Sequence, residues 1–224
     1  MRRCSTRTAT RLTSSARCDV IHVGTSGWSY PTWRGGFYPE GSRPDSFLGF
    51  YAERFDTVEL NTTGYRLPAE EQFRRWAERV PAGFSFAPKL PLYRLDRVAP
   101  FVERVSLLGD RLGPIRVQIQ QQRDEGLLAL LLGSVEPTLR LALDFRHPSW
   151  AGVELPAEVA VVNDLERRSV FRFVRLREPP YSDEQIAALA AELRGGPESW
   201  VFFRHEDEPT APGYAQRLLD LLRR

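Results

Sequence analysis

The stretch TVELNTTGYRLPAEEQFRRWAERVPAGFSFAPK, residues 57–89, contains the pattern that decides the fold. It begins and ends with short apolar segments, Thr57–Asn61 and Phe84–Lys89, which have the length and composition of buried strands. Between them, Ala69–Val80 places its apolar side chains at helical spacing. A strand, a helix and a second strand in this order predict a βα unit in a parallel sheet.

The same alternation extends in both directions from this unit. Eight segments have strand length and apolar character: Ile21–Ser26, Thr57–Asn61, Phe84–Lys89, Ile115–Gln120, Leu139–Arg146, Val159–Asp164, Phe171–Arg177 and Trp200–His205. Further helices are predicted over Asp45–Phe55, Ser182–Arg194 and Ala211–Leu222, the second with a Ser-Asp-Glu-Gln start that is typical of an N-terminal cap. Eight strands with helices between them favour a TIM-barrel-like (β/α)8 fold over an open doubly wound sheet.

One side of this barrel has too little chain for regular crossovers. Only Ala151–Glu158 is free to form a helix between strands five and six, and only Leu165–Ser169 between strands six and seven. A crossover connection needs about a dozen residues or more. We therefore expect a barrel that is trimmed or irregular around strands 5–7.

The charge distribution divides the chain into a tail and a domain. Residues 1–17 carry five arginines and no acid, so we expect residues 1–19 to be a disordered basic tail and residues 20–224 to be one domain. The tail's Arg- and Ser-rich composition also fits an organelle transit peptide or an early start codon. The domain itself is close to neutral, so its net charge does not indicate nucleic-acid binding.

Cysteine and hydropathy patterns exclude further classes of protein. Both cysteines, Cys4 and Cys18, lie in the tail, which excludes a thiol nucleophile in the domain and favours a cytoplasmic location. No apolar run reaches the roughly 20 residues that cross a bilayer, so we expect no membrane partner.

Polar side chains share one face of the predicted strands and gather near the carboxyl ends. Alternation along a strand places Glu59 with Asn61, and Arg175 with Arg177, while Asp144 comes late in the fifth strand. TIM barrels build their active sites at the carboxyl ends of the strands. The pattern therefore indicates a site at the barrel mouth, although ion-pair networks with a purely structural role also occur there.

Lys89 is the only lysine in the chain, and every other cationic side chain is an arginine. An ammonium has a compact head and a movable pKa, which a guanidinium lacks. Lys89 is thus predicted to bind a phosphate or carboxylate, or to protonate a leaving group. The alternative is an accident of an arginine-rich composition.

A series of motifs resembles a known family. In chain order the motifs are Gly24-Thr25-Ser26-Gly27-Trp28, Phe37-Tyr38-Pro39, Val58-Glu59-Leu60-Asn61 with Tyr65, Lys89-Leu90-Pro91, Gly113-Pro114 before Gln118, Phe145-Arg146-His147-Pro148-Ser149-Trp150 and Val174-Arg175-Leu176. Together they resemble the YecE-like family, domain of unknown function 72, over residues 21–222. The resemblance implies a TIM-barrel fold without a firmly established activity. It also implies a family-typical site set, namely Trp28, Glu59, Asn61, Tyr65, Lys89, Gln118, Arg146, His147, Trp150 and Arg175.

Several positions depart from the family pattern. The family usually has glutamate at Asp144, two prolines at Gln120 and Gln121, histidine-glycine at Arg177-Glu178, and paired asparagines at Arg204-His205. These departures predict a divergent member whose ligand differs from the family's or whose activity is lost.

General acid–base chemistry is the leading functional hypothesis. We expect a metal-independent enzyme that acts on an anionic small molecule such as a sugar phosphate or a nucleotide. Glu59 or Asp144 is the candidate base, and Lys89 the candidate acid or anion binder. The residues expected to bind substrate are Trp28, Asn61, Tyr65, Gln118, Arg146, His147, Trp150 and Arg175.

Other classes are weaker or remain open. No cofactor is predicted, and a metal is disfavoured because the histidines His22, His147 and His205 lie on different strands without ligand spacing. A non-catalytic nucleic-acid-binding protein is the main alternative, in which mouth arginines such as Arg146 and Arg204 grip a backbone. The third is a degenerate scaffold that binds a protein partner.

Overall fold

The computed structural model describes residues 20–224, so the basic tail predicted over residues 1–19 lies outside the described part of the chain. Within that part, eight strands follow one another: β1 (Ile21–Thr25), β2 (Thr57–Leu60), β3 (Ser85–Pro91), β4 (Ile115–Ile119), β5 (Leu141–Phe145), β6 (Val159–Val161), β7 (Phe171–Leu176) and β8 (Glu198–Phe203). Each overlaps a predicted strand, and every strand pair is parallel.

The strands form two parallel sheets that meet along two seams. One sheet has the order β2-β3-β4-β5-β6 and the other the order β1-β8-β7. At the first seam Ser26, just after β1, bridges Glu59 on β2. A Cβ atom at Gly24 would lie 2.0 Å from the carbonyl oxygen of Thr57, so a glycine is required where β1 approaches β2.

At the second seam, between β6 and β7, Asn163 joins the two strands through its backbone and its side chain, and its N–H donates to the carbonyl of Phe173 at 2.9 Å. Asn163 has a φ of 65°, a left-handed conformation that asparagine tolerates. Its Oδ1 accepts from the backbone N–H of Arg175 at 2.6 Å, and its Nδ2 donates to the carbonyl of the same residue at 3.0 Å. The side chain thereby adds two hydrogen bonds to the seam, and the fold is the predicted TIM-barrel-like (β/α)8 architecture.

The helices lie between most of the strands. In the described residues they are α1 (Pro44–Ala52), α2 (Glu70–Glu78), α3 (Val98–Val105), α4 (Glu125–Gly133), α5 (Asp183–Leu193) and α6 (Thr210–Leu222). The predicted cap of α5 is confirmed, because Ser182 accepts from the N–H of Gln185 while the Gln185 side chain accepts from the N–H of Ser182.

The irregular side predicted around strands 5–7 is confirmed. Within residues 20–224 no α-helix lies between β5 and β6 or between β6 and β7. Arginine side chains bond the carbonyls of the loops there: Arg167 donates to Pro156 at 3.2 Å, and Arg172 donates to Leu165 at 3.1 Å. The missing helices leave an open cavity of about 900 Å³ that His147 and Trp150 help to line.

The barrel interior has an apolar half and a polar half. Aromatic side chains of β7 and β8 pack on alanines of β3, β5 and β6, as Phe171, Phe173, Trp200 and Phe202 against Ala87, Ala142 and Ala160. Large and small residues thus pack together in the amino half of the barrel. The polar residues of the same strands lie beyond this plug, at the carboxyl ends.

A small charged cluster lies at the opposite, amino end of the barrel. His22 lies 2.6 Å from Asp56 and 3.3 Å from Glu198, and it stacks on Trp200 at 4.7 Å between ring centres. Arg140 completes the cluster at 2.7 Å from Glu198. His22 lies near the start of β1, so this cluster marks the bottom of the barrel.

In residues 20–224, no helix has the length and apolar character needed to span a bilayer. The cytoplasmic location expected from the cysteine distribution stays a prediction.

Candidate functional site

Glu59 is the centre of a buried ion-pair network at the barrel mouth. Its side chain is fully buried and accepts from Nε of Arg116 and, at 2.7 Å, from Nε of Arg175. The hydroxyl of Ser26 donates to the same carboxylate at 2.6 Å. A buried carboxylate needs such partners, because leaving it unpaired costs several kcal/mol.

Arg116 joins Glu59 to the second carboxylate of the mouth. Its Nη1 donates to Asp144 at 2.6 Å, and its Nη2 lies 3.4 Å from Oδ1 of Asn61. Arg116 is itself buried, and it is the one charged residue of β4. The inward face of β4 therefore bridges β2 and β5 through one guanidinium.

Asp144 also accepts from two arginines nearer to solvent. Arg177 places Nη2 at 2.9 Å from both carboxylate oxygens, and Nη2 of Arg146 lies at 3.1 Å. The Arg146 and Arg177 side chains are 34% and 23% exposed, whereas Asp144 is 3% exposed. Both guanidiniums are thus partly exposed at the mouth, and each is paired with the buried carboxylate of Asp144.

The protonation state of Glu59 follows from these contacts. Burial alone raises the pKa of this carboxyl, but the charges of Arg116 and Arg175 outweigh burial and lower the pKa to about 2. Glu59 is therefore an ionised anchor for two guanidiniums.

Lys89 lies at the edge of the network, on the β3 position paired with Arg116. Its ammonium forms no ion pair or hydrogen bond with another described side chain, and its Nζ lies 5.4 Å above the ring of Tyr65. Burial and the nearby charge of Arg116 lower the pKa of the Lys89 amine. Tyr65 is 87% exposed and marks the solvent side of the amine.

The loop after β2 fixes the position of Lys89. The Thr63 hydroxyl accepts from the backbone N–H of Lys89 at 3.0 Å. A Cβ atom at Gly64 would lie 2.8 Å from Cδ of Lys89, so the glycine leaves room for the lysine side chain. Both contacts come from the turn Asn61–Gly64.

The structure brings together most of the site residues predicted from the sequence. Glu59, Asn61, Asp144, Arg146 and Arg175 belong to one network. Lys89 and Tyr65 lie at its edge.

Gln118, also expected to bind substrate, is paired with Asp144 across β4 and β5. The inward face predicted for the strands is therefore the face that carries the network.

Three predicted substrate-binding residues lie apart from this network. Trp28 is buried against Trp76 of α2, with ring centres 5.3 Å apart. Trp150 is buried on Phe145, and its Nε1 donates to the carbonyl of Gln121 at 2.9 Å.

His147, the third, lies 2.8 Å from the hydroxyl of Ser149, with which it shapes the loop after β5. It faces the cavity of the irregular side together with Trp150.

Arg116 and Ser26 are site residues that the sequence-based set lacked. A single arginine between Ile115 and Val117 in a buried strand is the signal, because a lone charge there requires a buried partner. Arg177, predicted on the inward face with Arg175 but not among the site residues, directly contacts Asp144 and so adds a third guanidinium to this carboxylate.

The other departures change the rim of the mouth. His205 stacks on Tyr30 with ring centres 4.4 Å apart, and burial followed by the charges of Arg175 and Arg204 lowers its pKa. Its Nδ1 and the Nε of Arg177 are buried atoms without a hydrogen-bond partner among the described residues. No group of three His, Cys, Asp or Glu side chains within residues 20–224 is arranged to hold a metal ion.

Comparison with known proteins confirms the family resemblance that the motifs indicate. The family model described as "Protein of unknown function DUF72" matches residues 22–224. This chain belongs to the DUF72 family. UPF0759 protein YecE of Escherichia coli (strain K12) is 31% identical over 144 residues, which cover 58% of this chain and 50% of YecE. The match therefore spans about half the length of that relative.

Solved DUF72 structures share the fold. A DUF72 family protein of Thermotoga maritima MSB8 superposes with a TM-score of 0.74 at 23% identity, covering 92% of this chain and all of that one. A DUF72 family protein of Enterococcus faecalis V583 gives a TM-score of 0.70 at 16% identity, with 92% and 99% covered. At these identities the likeness concerns the fold.

Proposed function

We propose that this DUF72 protein is a metal-independent enzyme that acts by general acid–base chemistry on an anionic small molecule, such as a sugar phosphate or a nucleotide. One observation carries the proposal. Among the described residues, the mouth network sets two carboxylates against four guanidiniums, and Lys89 adds an ammonium without an ion-pair partner. A buried excess of positive charge attracts an anion, and guanidiniums suit phosphate and carboxylate oxygens.

Arg146 and Arg177 are the proposed anion-binding pair. They reach solvent, whereas Arg116 and Arg175 are buried and already engage Glu59. The Nε of Arg177 is buried without a described hydrogen-bond partner, so this guanidinium is not fully hydrogen-bonded in its present position. An incoming phosphate would draw both side chains away from Asp144.

The contacts assign different roles to the candidate acid–base residues. Glu59 has its oxygens bonded and a pKa of about 2, so its proposed role is to position the guanidiniums. Asp144 gains a free oxygen when a substrate anion binds Arg146 and Arg177, which makes it the favoured base. Lys89, whose pKa burial and the charge of Arg116 lower, is the proposed group that exchanges a proton with the substrate.

A thermal-shift screen tests this proposal with sugar phosphates, nucleotides and short single-stranded DNA. A ligand at about 100 times its dissociation constant adds about 2.7 kcal/mol to stability. For a domain of this size that raises Tm by about 5–10 °C.

We expect Arg177→Gln to reduce the shift and Arg79→Gln, which removes an exposed arginine at the end of α2, to preserve it. Phosphorylated ligands that shift neither wild type nor Arg79→Gln contradict the proposal.

A non-catalytic nucleic-acid-binding protein is the second candidate. Tyr65 and Tyr93, in loops beyond β2 and β3, are 87% and 69% exposed, and the neighbouring rim carries the exposed Arg146 and Arg204. Exposed aromatic rings stack on bases, and arginines bind the backbone. Oligonucleotide binding that weakens steeply with salt would favour this candidate over the enzyme.

A further inference from the structure

Lys89 differs from the other cationic side chains of the mouth because it carries an amine and not a guanidinium. Elsewhere in the chain every cationic side chain is an arginine, including the four guanidiniums of the network. An arginine at position 89 would supply charge equally well. A lysine supplies in addition a group that becomes a neutral nucleophile on losing one proton.

The surroundings of Lys89 shift its proton equilibrium toward that neutral form. No described carboxylate pairs with the ammonium, whereas Arg116 lies at the paired position of the next strand. Burial and this neighbouring positive charge both lower the pKa of the amine. A lysine desolvated beside another cation is a recognised way of activating a nucleophilic amine.

The position of the Lys89 side chain is also well defined. Thr63 holds its backbone through the hydroxyl, and Gly64 lies against its methylene carbons. The amine ends 5.4 Å above the Tyr65 ring, on the open side of the mouth. A carbonyl compound whose anionic group lies on Arg146 or Arg177 would enter from this side.

We propose that Lys89 forms an imine with the carbonyl carbon of an anionic substrate, so that the substrate class is an aldehyde or ketone carrying a phosphate or carboxylate. This inference rests on the proposed function, since it uses the same anion-binding pair. The neutral amine attacks the carbonyl carbon, and its proton passes to the carbonyl oxygen to give a carbinolamine. The hydroxyl then leaves as water with the second amine proton, and a C=N bond forms.

Borohydride trapping tests the imine directly. The protein is incubated with dihydroxyacetone phosphate, glyceraldehyde 3-phosphate or pyruvate, reduced with sodium borohydride, and examined by intact mass and peptide mapping. Reduction fixes an adduct whose added mass is that of the carbonyl compound less one oxygen atom. Because Lys89 is the sole lysine, the peptide map separates its adduct from any adduct at the terminal amine.

Three variants sharpen the test. Lys89→Arg keeps the positive charge, so we expect it to bind the ligand without forming an adduct. Gly64→Ala displaces the lysine side chain and is expected to slow trapping while retaining the amine. Arg79→Gln should be trapped like wild type.

The outcomes separate this inference from the function on which it rests. Calorimetry of the same ligands without borohydride reports binding alone. Ligands that bind wild type but leave Lys89 unmodified overturn the imine and leave the anion-binding proposal intact. If no anionic carbonyl compound binds, the imine proposal falls, and the thermal-shift screen with nucleotides decides the anion-binding proposal.

Discussion

The two ends of the barrel carry charged clusters of opposite character. At the amino end, His22 and Arg140 are matched by Asp56 and Glu198, so the described acidic and basic groups are equal in number. At the mouth, the guanidiniums outnumber the carboxylates, and Lys89 has no ion-pair partner among residues 20–224. A matched cluster stabilises the strand ends, whereas an excess of one sign attracts a ligand of the other.

The aromatic side chains of β7 and β8 separate the two charged clusters within one barrel. Phe173 and Phe202 fill the interior between the two ends. Each cluster is thus a separate electrostatic site whose groups are changed independently by substitution.

The largest expected difference between the ends concerns stability. Arg116→Met leaves Glu59 and Asp144 as buried carboxylates with one partner fewer, which costs about 3–5 kcal/mol. Arg140→Met removes a pair that is partly exposed and costs at most about 1 kcal/mol. Urea unfolding of both variants measures the difference, and equal losses would show that the mouth network is not a buried structural unit.

The acid side of the stability profile is the next comparison. The pKa of Glu59 is lowered to about 2 in the folded protein, so its ionised form stabilises the fold above the ordinary carboxyl range. This contribution, about 3 kcal/mol, is lost as the pH falls toward 2. We expect Glu59→Gln to lower the free energy of unfolding at pH 7 and to reduce the loss of stability between pH 6 and pH 3. Urea unfolding midpoints of the variant should therefore depend less on pH than those of wild type.

The amino end is predicted to respond in the opposite direction and more weakly. Burial lowers the pKa of His22, but the bonds to Asp56 and Glu198 outweigh it and leave the pKa raised. The stability from protonated His22 is complete below its unfolded pKa and is lost as the pH rises through the folded value. His22→Gln should remove this loss of stability at higher pH, which is about 1 kcal/mol or less. Urea unfolding at a series of pH values measures it. If the stability of His22→Gln depends on pH as that of wild type does, His22 is not charged in the folded protein.

The sequence predicted the strands well because their alternation depends on local pattern. The period of two placed Glu59 with Asn61 and Arg175 with Arg177 on the inward face, and the short segments after β5 and β6 predicted the irregular side. These features need no knowledge of distant contacts.

Depth within the barrel was not predictable in the same way. The family resemblance implied that Trp28 and Trp150 bind substrate, but their burial depends on what covers them, namely Trp76 of α2 and Phe145. Arg116 was missed because its role depends on carboxylates from two other strands, and such pairing appears only when the sheet is assembled.

The pKa of Lys89 tests the excess of positive charge most directly. With a single lysine, selective isotope labelling gives one side-chain signal whose NMR titration reports this amine alone. The account predicts a pKa below that of an ordinary lysine, which rises when a phosphorylated ligand binds. A pKa at or above the ordinary value that no anion changes would contradict the account of the mouth as an anion site.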